Sequence, residues 1–278
     1  CYRPTFFDQM GHSTMRRDEI QSLLDNIPVT PESMCSYFAD RPSQSRAFRV
    51  DGDLPPELFN VALERGYRRC GDIYYQQTCE HCHLCLSYRV LVQSFTASRS
   101  QRRVAARNSD VEWRVVEPIL TSEKEALYLR YQHSQHYVKD IARPDAARFA
   151  DAGYDEASLL DTLEFQMYTN PRSTRELQLH CDGQLLGFGT LDFSANAASA
   201  VYFVFDPDHA RRSLGTLAIL AGLDWARERE MQYYYLGFYI PGHPKMDYKR
   251  RFTPAEIRDP ETGKWASAPY TEIAAIAD

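Results

Sequence analysis

Eight residues, TCEHCHLC at 78–85, set Cys79, Cys82 and Cys85 at a spacing of three. Thiolates so spaced hold zinc or the irons of an iron–sulfur cluster, and tetrahedral zinc needs a fourth ligand. Cys35 or Cys70 could supply it, and His81 and His83 lie within the octet. No base stands nearby, so a metal here would stabilise a fold and not attack a substrate. A metal-free thiol cluster is the alternative. The seven cysteines are odd in number and crowd toward the N-terminal third, unlike a disulfide framework. CYRPTFFDQM at the start has no apolar signal core, and no run is long enough to cross a bilayer. A reducing cytoplasm and no membrane partner are therefore expected.

Basic side chains form two islands on a chain of net charge −6. LSYRVLVQSFTASRSQRRVAAR, 86–107, carries Arg89, Arg99, Arg102, Arg103 and Arg107 without an acid. The last four recur every three or four residues, so one helical face could present them. HPKMDYKRR, 243–251, adds Lys245, Lys249, Arg250 and Arg251 against one Asp. Local clusters on an acidic chain suit a placed anionic partner, and guanidinium forks suit phosphates. DPDHARRSLGT, 206–216, opens a helix with Arg211, Arg212 and Gly215, another anion site. Tyr239, Lys245 and Tyr248 follow a buried strand, where α/β proteins place their chemistry. There is no GxSxG and no HExxH. His133 and His136 sit three apart, a spacing more typical of a packed or surface pair than of ligands.

Elements must hold these groups. PPELFNVALERGY, 55–67, predicts a short helix ended by Gly66, and VLVQSF, 90–95, a strand. TSEKEALYLRYQHSQH, 121–136, and SLLDTLEFQMY, 158–168, predict helices. The second half predicts a hairpin about Asp182-Gly183, a buried strand at 199–208 and a helix at 211–230. In that helix Leu217, Ile219, Leu220, Leu223 and Trp225 turn inward. A further strand at 231–240 should run parallel to the one before the helix. The fold class is α+β. The division expected is 1–120, cysteine-bearing, and 121–278, a mixed sheet.

The chain resembles the aminoacyl-tRNA–protein transferases, above all the bacterial aspartate/glutamate leucyltransferases. The matching stretches are CSYFADR at 35–41, GYRRCGDIYYQQTCEHCHLC at 66–85, SFTASRSQRRVAARNSD at 94–110, VYFVFDPDHARRSLGT at 201–216 and YYYLGFYIPGHPKMDYKRRFTPAE at 233–256. The resemblance implies an N-terminal cysteine-bearing domain and a C-terminal N-acetyltransferase-like domain. It implies leucine transfer from leucyl-tRNA to the amine of proteins beginning with Asp or Glu, marking them for degradation, with no cofactor required for transfer. It implies that Cys35, Cys79, Cys82 and Cys85 correspond to residues implicated in metal or cluster binding in relatives. An aminoacyl ester is already activated, which fits the missing triad. Arg41, Arg102 or Arg211 could meet the acidic first residue, and CSYFADR favours Arg41. Three alternatives remain: arginine as the donated residue, a coenzyme A-dependent N-acyltransferase, for which Leu217 stands where a small residue belongs, and a zinc-stabilised RNA-binding module without catalysis.

Overall fold

The computed structural model describes residues 16–50, 54–137, 155–170 and 173–267. Helix α1 (Arg17–Asp25) is followed by β1 (Ser33–Met34), β2 (Pro42–Ser43) and β3 (Ser45–Arg49), then α2 (Pro56–Glu64), β4 (Arg68–Cys70), β5 (Ile73–Gln77) and β6 (Leu86–Leu91). Next come α3 (Arg99–Arg107), β7 (Glu112–Val116), α4 (Ser122–Gln132) and α5 (Glu156–Leu163). The hairpin β8 (Thr174–Cys181) and β9 (Gln184–Phe193) leads to β10 (Ala197–Phe205), α6 (Leu214–Glu228) and β11 (Tyr233–Tyr239). β12 (Ala255–Arg258) and β13 (Trp265–Ser267) finish the described chain. No helix among the described residues is long and apolar enough to cross a membrane.

The α+β class and the mixed sheet are as expected. Eight strands lie in the order β13-β12-β6-β11-β10-β9-β8-β7. All neighbours are antiparallel except β10 and β11, which α6 connects in parallel. A separate three-stranded sheet, β3-β5-β4, packs with α1 and α2 around Phe48, Tyr67 and Tyr74. The large sheet takes β6 and β7 from the N-terminal side of the expected 120/121 division. Its two faces carry different partners. Ala198, Tyr234 and Leu236 join the core beneath α6, while Ala197 and Tyr235 join the core of the three-stranded sheet. That alternation is the period of two of a strand covered on both faces.

The five α6 residues expected to face inward are all buried. The strand expected at 90–95 begins earlier. It runs Leu86–Leu91, and Val92–Ser94 turns off as a 3-10 segment once the Val92 N–H reaches Gln232 O. Arg89 disguised the strand's start and is no phosphate ligand. It is buried, paired with Glu256 at 2.6 Å, and its guanidinium lies 3.7 Å from the Tyr233 ring centre and 4.1 Å from that of Trp265. The side chain of His136 lies outside the described residues. His133 is exposed.

Candidate active site

β10 and β11 stay paired only from Ala197↔Tyr233 to Ser199↔Tyr235 and then part. Each is irregular at that point: β10 shifts register against β9 between Ala200 and Tyr202, and β11 against β6 between Tyr235 and Gly237. A cleft of about 720 Å³ opens there. Leu191, Ala200, Phe203, Ile219, Tyr234 and Leu236 give it an apolar floor, and Tyr131, Tyr202 and Tyr248 bring phenol groups. Thr190, fully buried in the same wall, has a hydroxyl without a hydrogen-bond partner among the described residues.

The start of α6 forms one rim, through Ser213, Leu214, Gly215 and Thr216. Ser213 is left-handed, at φ 59°, and makes no side-chain cap. The first turn carries no acid, and Leu214 and Gly215 line the cleft at the positive end of a 15-residue helix. A Cβ on Gly215 would point into open space, so glycine there keeps the rim clear.

Lys245, Met246, Tyr248 and Lys249 form the opposite rim. Lys249 is 6% exposed. Its Nζ donates to Phe238 O and to Met246 Sδ. Burial, reinforced by the Arg68 charge, brings its pKa down to about 7. Lys249 lines the cleft, and in its deprotonated form it carries a lone pair that can accept a proton. Tyr248 is partly exposed. Tyr239, expected beside it in the chemistry, is instead a core residue: its ring packs on Tyr88 and its hydroxyl points to Asp247 Oδ1 at 3.4 Å.

The basic helix is pinned around this cleft. Ser98 and Gln101 cap α3 reciprocally, and the buried Gln101 amide donates to Arg251 O at 3.0 Å. At the other end Arg107 donates to Arg211 O at 2.6 Å and Asn108 to Arg212 O at 2.9 Å. Arg99, Arg102 and Arg103 are exposed on α3, and Arg211 and Arg251 are exposed on the loops it grips. Arg212 does not join them. Both its terminal nitrogens hold Asp110 at 2.8 Å, and that guanidinium keeps the Asp110 carboxyl well below the usual range.

Arg41 does not reach the cleft. It pairs with Asp40 at 3.0 Å, covers the Phe38 ring and lies 4.0 Å from Cys82 Sγ, in a small hollow lined also by Cys79. Its neighbours do touch the site loop, since Tyr37 and Phe38 pack edge-on against His243. Backbone N–H groups aim at two sulfurs, Gln44 at Cys79 and Tyr37 at Cys35. The Cys85 thiol is pushed up to about 12, first by burial and then by Cys35, Cys79 and Cys82 around it. Cys70 is elsewhere, at the β4–β5 turn beside Asp72 and Gln166. Among the described residues, no three His, Cys, Asp or Glu side chains stand in metal-holding geometry.

Two family models match the chain: arginine-tRNA-protein transferase, N terminus, over residues 33–103, and its C terminus over 123–259. The aspartate/glutamate leucyltransferase of Leptospira interrogans (serovar copenhageni) is 38% identical over 246 residues, covering 88% of this chain and 91% of that protein. That of Stenotrophomonas maltophilia (strain K279a) is 38% identical over 236 residues, covering 83% and 88%. That of Xylella fastidiosa (strain 9a5c) is 36% identical over 255 residues, covering 90% and 93%.

Proposed function

The chain belongs to the aspartate/glutamate leucyltransferases, and we propose that it moves leucine from leucyl-tRNA to the free α-amine of proteins beginning with Asp or Glu, in the cytoplasm, marking them for degradation. The observation that carries the reading is the parting of β10 and β11 beside an uncapped helix start. An apolar floor suits the leucyl side chain. The N–H groups of Leu214 and Gly215 suit a phosphate or the oxyanion that forms as the amine adds to the ester carbonyl. Lys249 accepts the proton released as the C–N bond forms, then returns it to the ribose oxygen as the C–O bond breaks. Lys245 and Tyr248 line the same rim and position the adenosine end. Arg99, Arg102, Arg103 and Arg211 take tRNA phosphates.

The donor set of Cys35, Cys79, Cys82 and Cys85 suits zinc or an iron–sulfur cluster, with N–H groups already directed at two sulfurs. Such a group would brace the 35–41 loop against His243, and transfer needs no step through it. Cys70 is left out of the set.

The test offers labelled Leu-tRNA, Arg-tRNA and acetyl-CoA with a peptide beginning with Asp. Transfer from Leu-tRNA is expected. Transfer from acetyl-CoA alone, or RNA binding without transfer, would replace the reading by an N-acyltransferase or a binding module.

A further inference from the structure

Arg68 and Arg69 are adjacent on β4, both buried, and treated in opposite ways. Arg69 sits in a bidentate pair with Asp192, at 2.6 and 2.8 Å, so its charge is neutralised. Arg68 has no carboxylate within salt-bridge reach among the described residues. Its guanidinium donates to Ser199 Oγ at 2.7 Å and to Ala200 O, both neutral. Ser199 is the last β10 residue paired with β11, and Ala200 lines the cleft. The guanidinium therefore occupies the fork where β10 leaves β11, on the face covered by the three-stranded sheet. Gly237 makes room for it: at φ +81° this residue lacks the Cβ that would stand 3.1 Å from an Arg68 nitrogen. Lys249, the other cation nearby, also has only neutral hydrogen-bond partners. A buried guanidinium is costly unless an anion meets it. Among the described residues no carboxylate forms an ion pair with it, and Asp192, whose charge reaches it, is itself bound by Arg69.

We propose that Arg68 is the residue that binds the side-chain carboxylate of the acceptor protein's first residue. The inference rests on the transfer reading above and supplies its specificity. Two N–H groups of the guanidinium are held by Ser199 and Ala200, which fixes the plane of the fork and leaves its remaining N–H groups for a carboxylate. Asn or Gln in that place would oppose an NH₂ donor to those donors. Arg41 lies outside the cleft, in an exposed pair with Asp40.

The test compares wild type, Arg68→Met and Arg68→Lys with peptides beginning with Asp, Glu, Asn and Ala, at equal Leu-tRNA. Removing a buried partner of a carboxylate should lower kcat/KM for the Asp and Glu peptides roughly a hundredfold or more, mainly through KM, and leave the Asn and Ala peptides within a few-fold. The Asp-over-Asn ratio should fall toward one in Arg68→Met, with Arg68→Lys between. An equal loss on all four peptides, or an unchanged ratio, overturns the proposal and leaves Arg68 a strut between the sheets. If Arg68→Met does not fold, the ratio in Arg68→Lys decides. Fluorescent Asp and Asn peptides titrated without tRNA give a second reading: tighter Asp binding in wild type, lost in the variant. Should wild type bind Asp selectively yet transfer nothing from Leu-tRNA, the transfer reading fails and this assignment stands. Equal binding of the two peptides by wild type overturns the assignment.

Discussion

Lys249→Met tests the cleft's electrostatics in one substitution. The lysine falls from 10.5 in an unfolded chain to about 7 here, because burial and Arg68 both oppose its charge. At ~1.4 kcal/mol per pH unit, that gap corresponds to about 5 kcal/mol. The sign follows from proton counting. Between pH 7 and 10.5 the unfolded chain binds a proton that the folded chain has released, so this residue's contribution to stability rises with pH across that window. Below pH 7 both states hold the proton and the full cost of burying the charge remains. Methionine fills similar volume without a charge. The variant should therefore gain most over wild type near pH 6, and the gain should shrink by about 1.4 kcal/mol per unit through pH 8–9. Urea midpoints of both proteins at constant ionic strength, every half unit from pH 6 to 9.5, measure it. Groups that do not sense Lys249 cancel between the two proteins, and the Cys85 thiol, which does sense it, stands at about 12, above the range scanned. Parallel stability curves would refute the buried-amine argument and remove Lys249 as proton acceptor. If the gain shrinks with pH as described, kcat for leucine transfer should fall while tRNA affinity holds.

Replacing Arg102 and Arg103 together with Ala should flatten the salt dependence of tRNA binding by somewhat under one unit of slope for each phosphate that these side chains neutralise; an unchanged slope in a filter-binding titration would make α3 a solvated face. Asp192→Ala strands the Arg69 charge and removes the carboxylate that the Thr174 hydroxyl bonds at 2.8 Å, so urea unfolding should show a loss of about 3–5 kcal/mol. Anaerobically purified protein should carry zinc or iron by elemental analysis, and Cys82→Ser should release it while Cys70→Ser keeps it; metal-free wild type would leave only a thiol cluster.

The second half was open to sequence reading because its signals are local. Asp182-Gly183 names a hairpin, and the spacing of Leu217, Leu220 and Leu223 names a helix whose length forces a parallel return strand. The basic run at 99–107 formed its helix for the same reason. What stayed hidden depends on distant partners. Arg89 looked like a phosphate ligand until Glu256 and Trp265 enclosed it. Arg212 looked free until Asp110, 102 positions away in sequence, claimed it. Tyr239 and Tyr248 look alike in a string, yet one faces the core and one the cleft. Arg68 carried a faint signal, the pair of arginines inside GYRRC, but only the positions of Asp192 and Ser199 reveal which of the two is uncompensated.

The cleft and Arg68 share one fork in the large sheet, on opposite faces of it. On the roles proposed above, RNA meets the arginines on the α6 face and the acceptor's first side chain meets Arg68. The two need not displace one another, and no nucleophile is needed to store leucine between visits. Steady-state lines drawn against either substrate should then intersect, as for enzymes that hold both reactants at once, and each substrate should be free to arrive first.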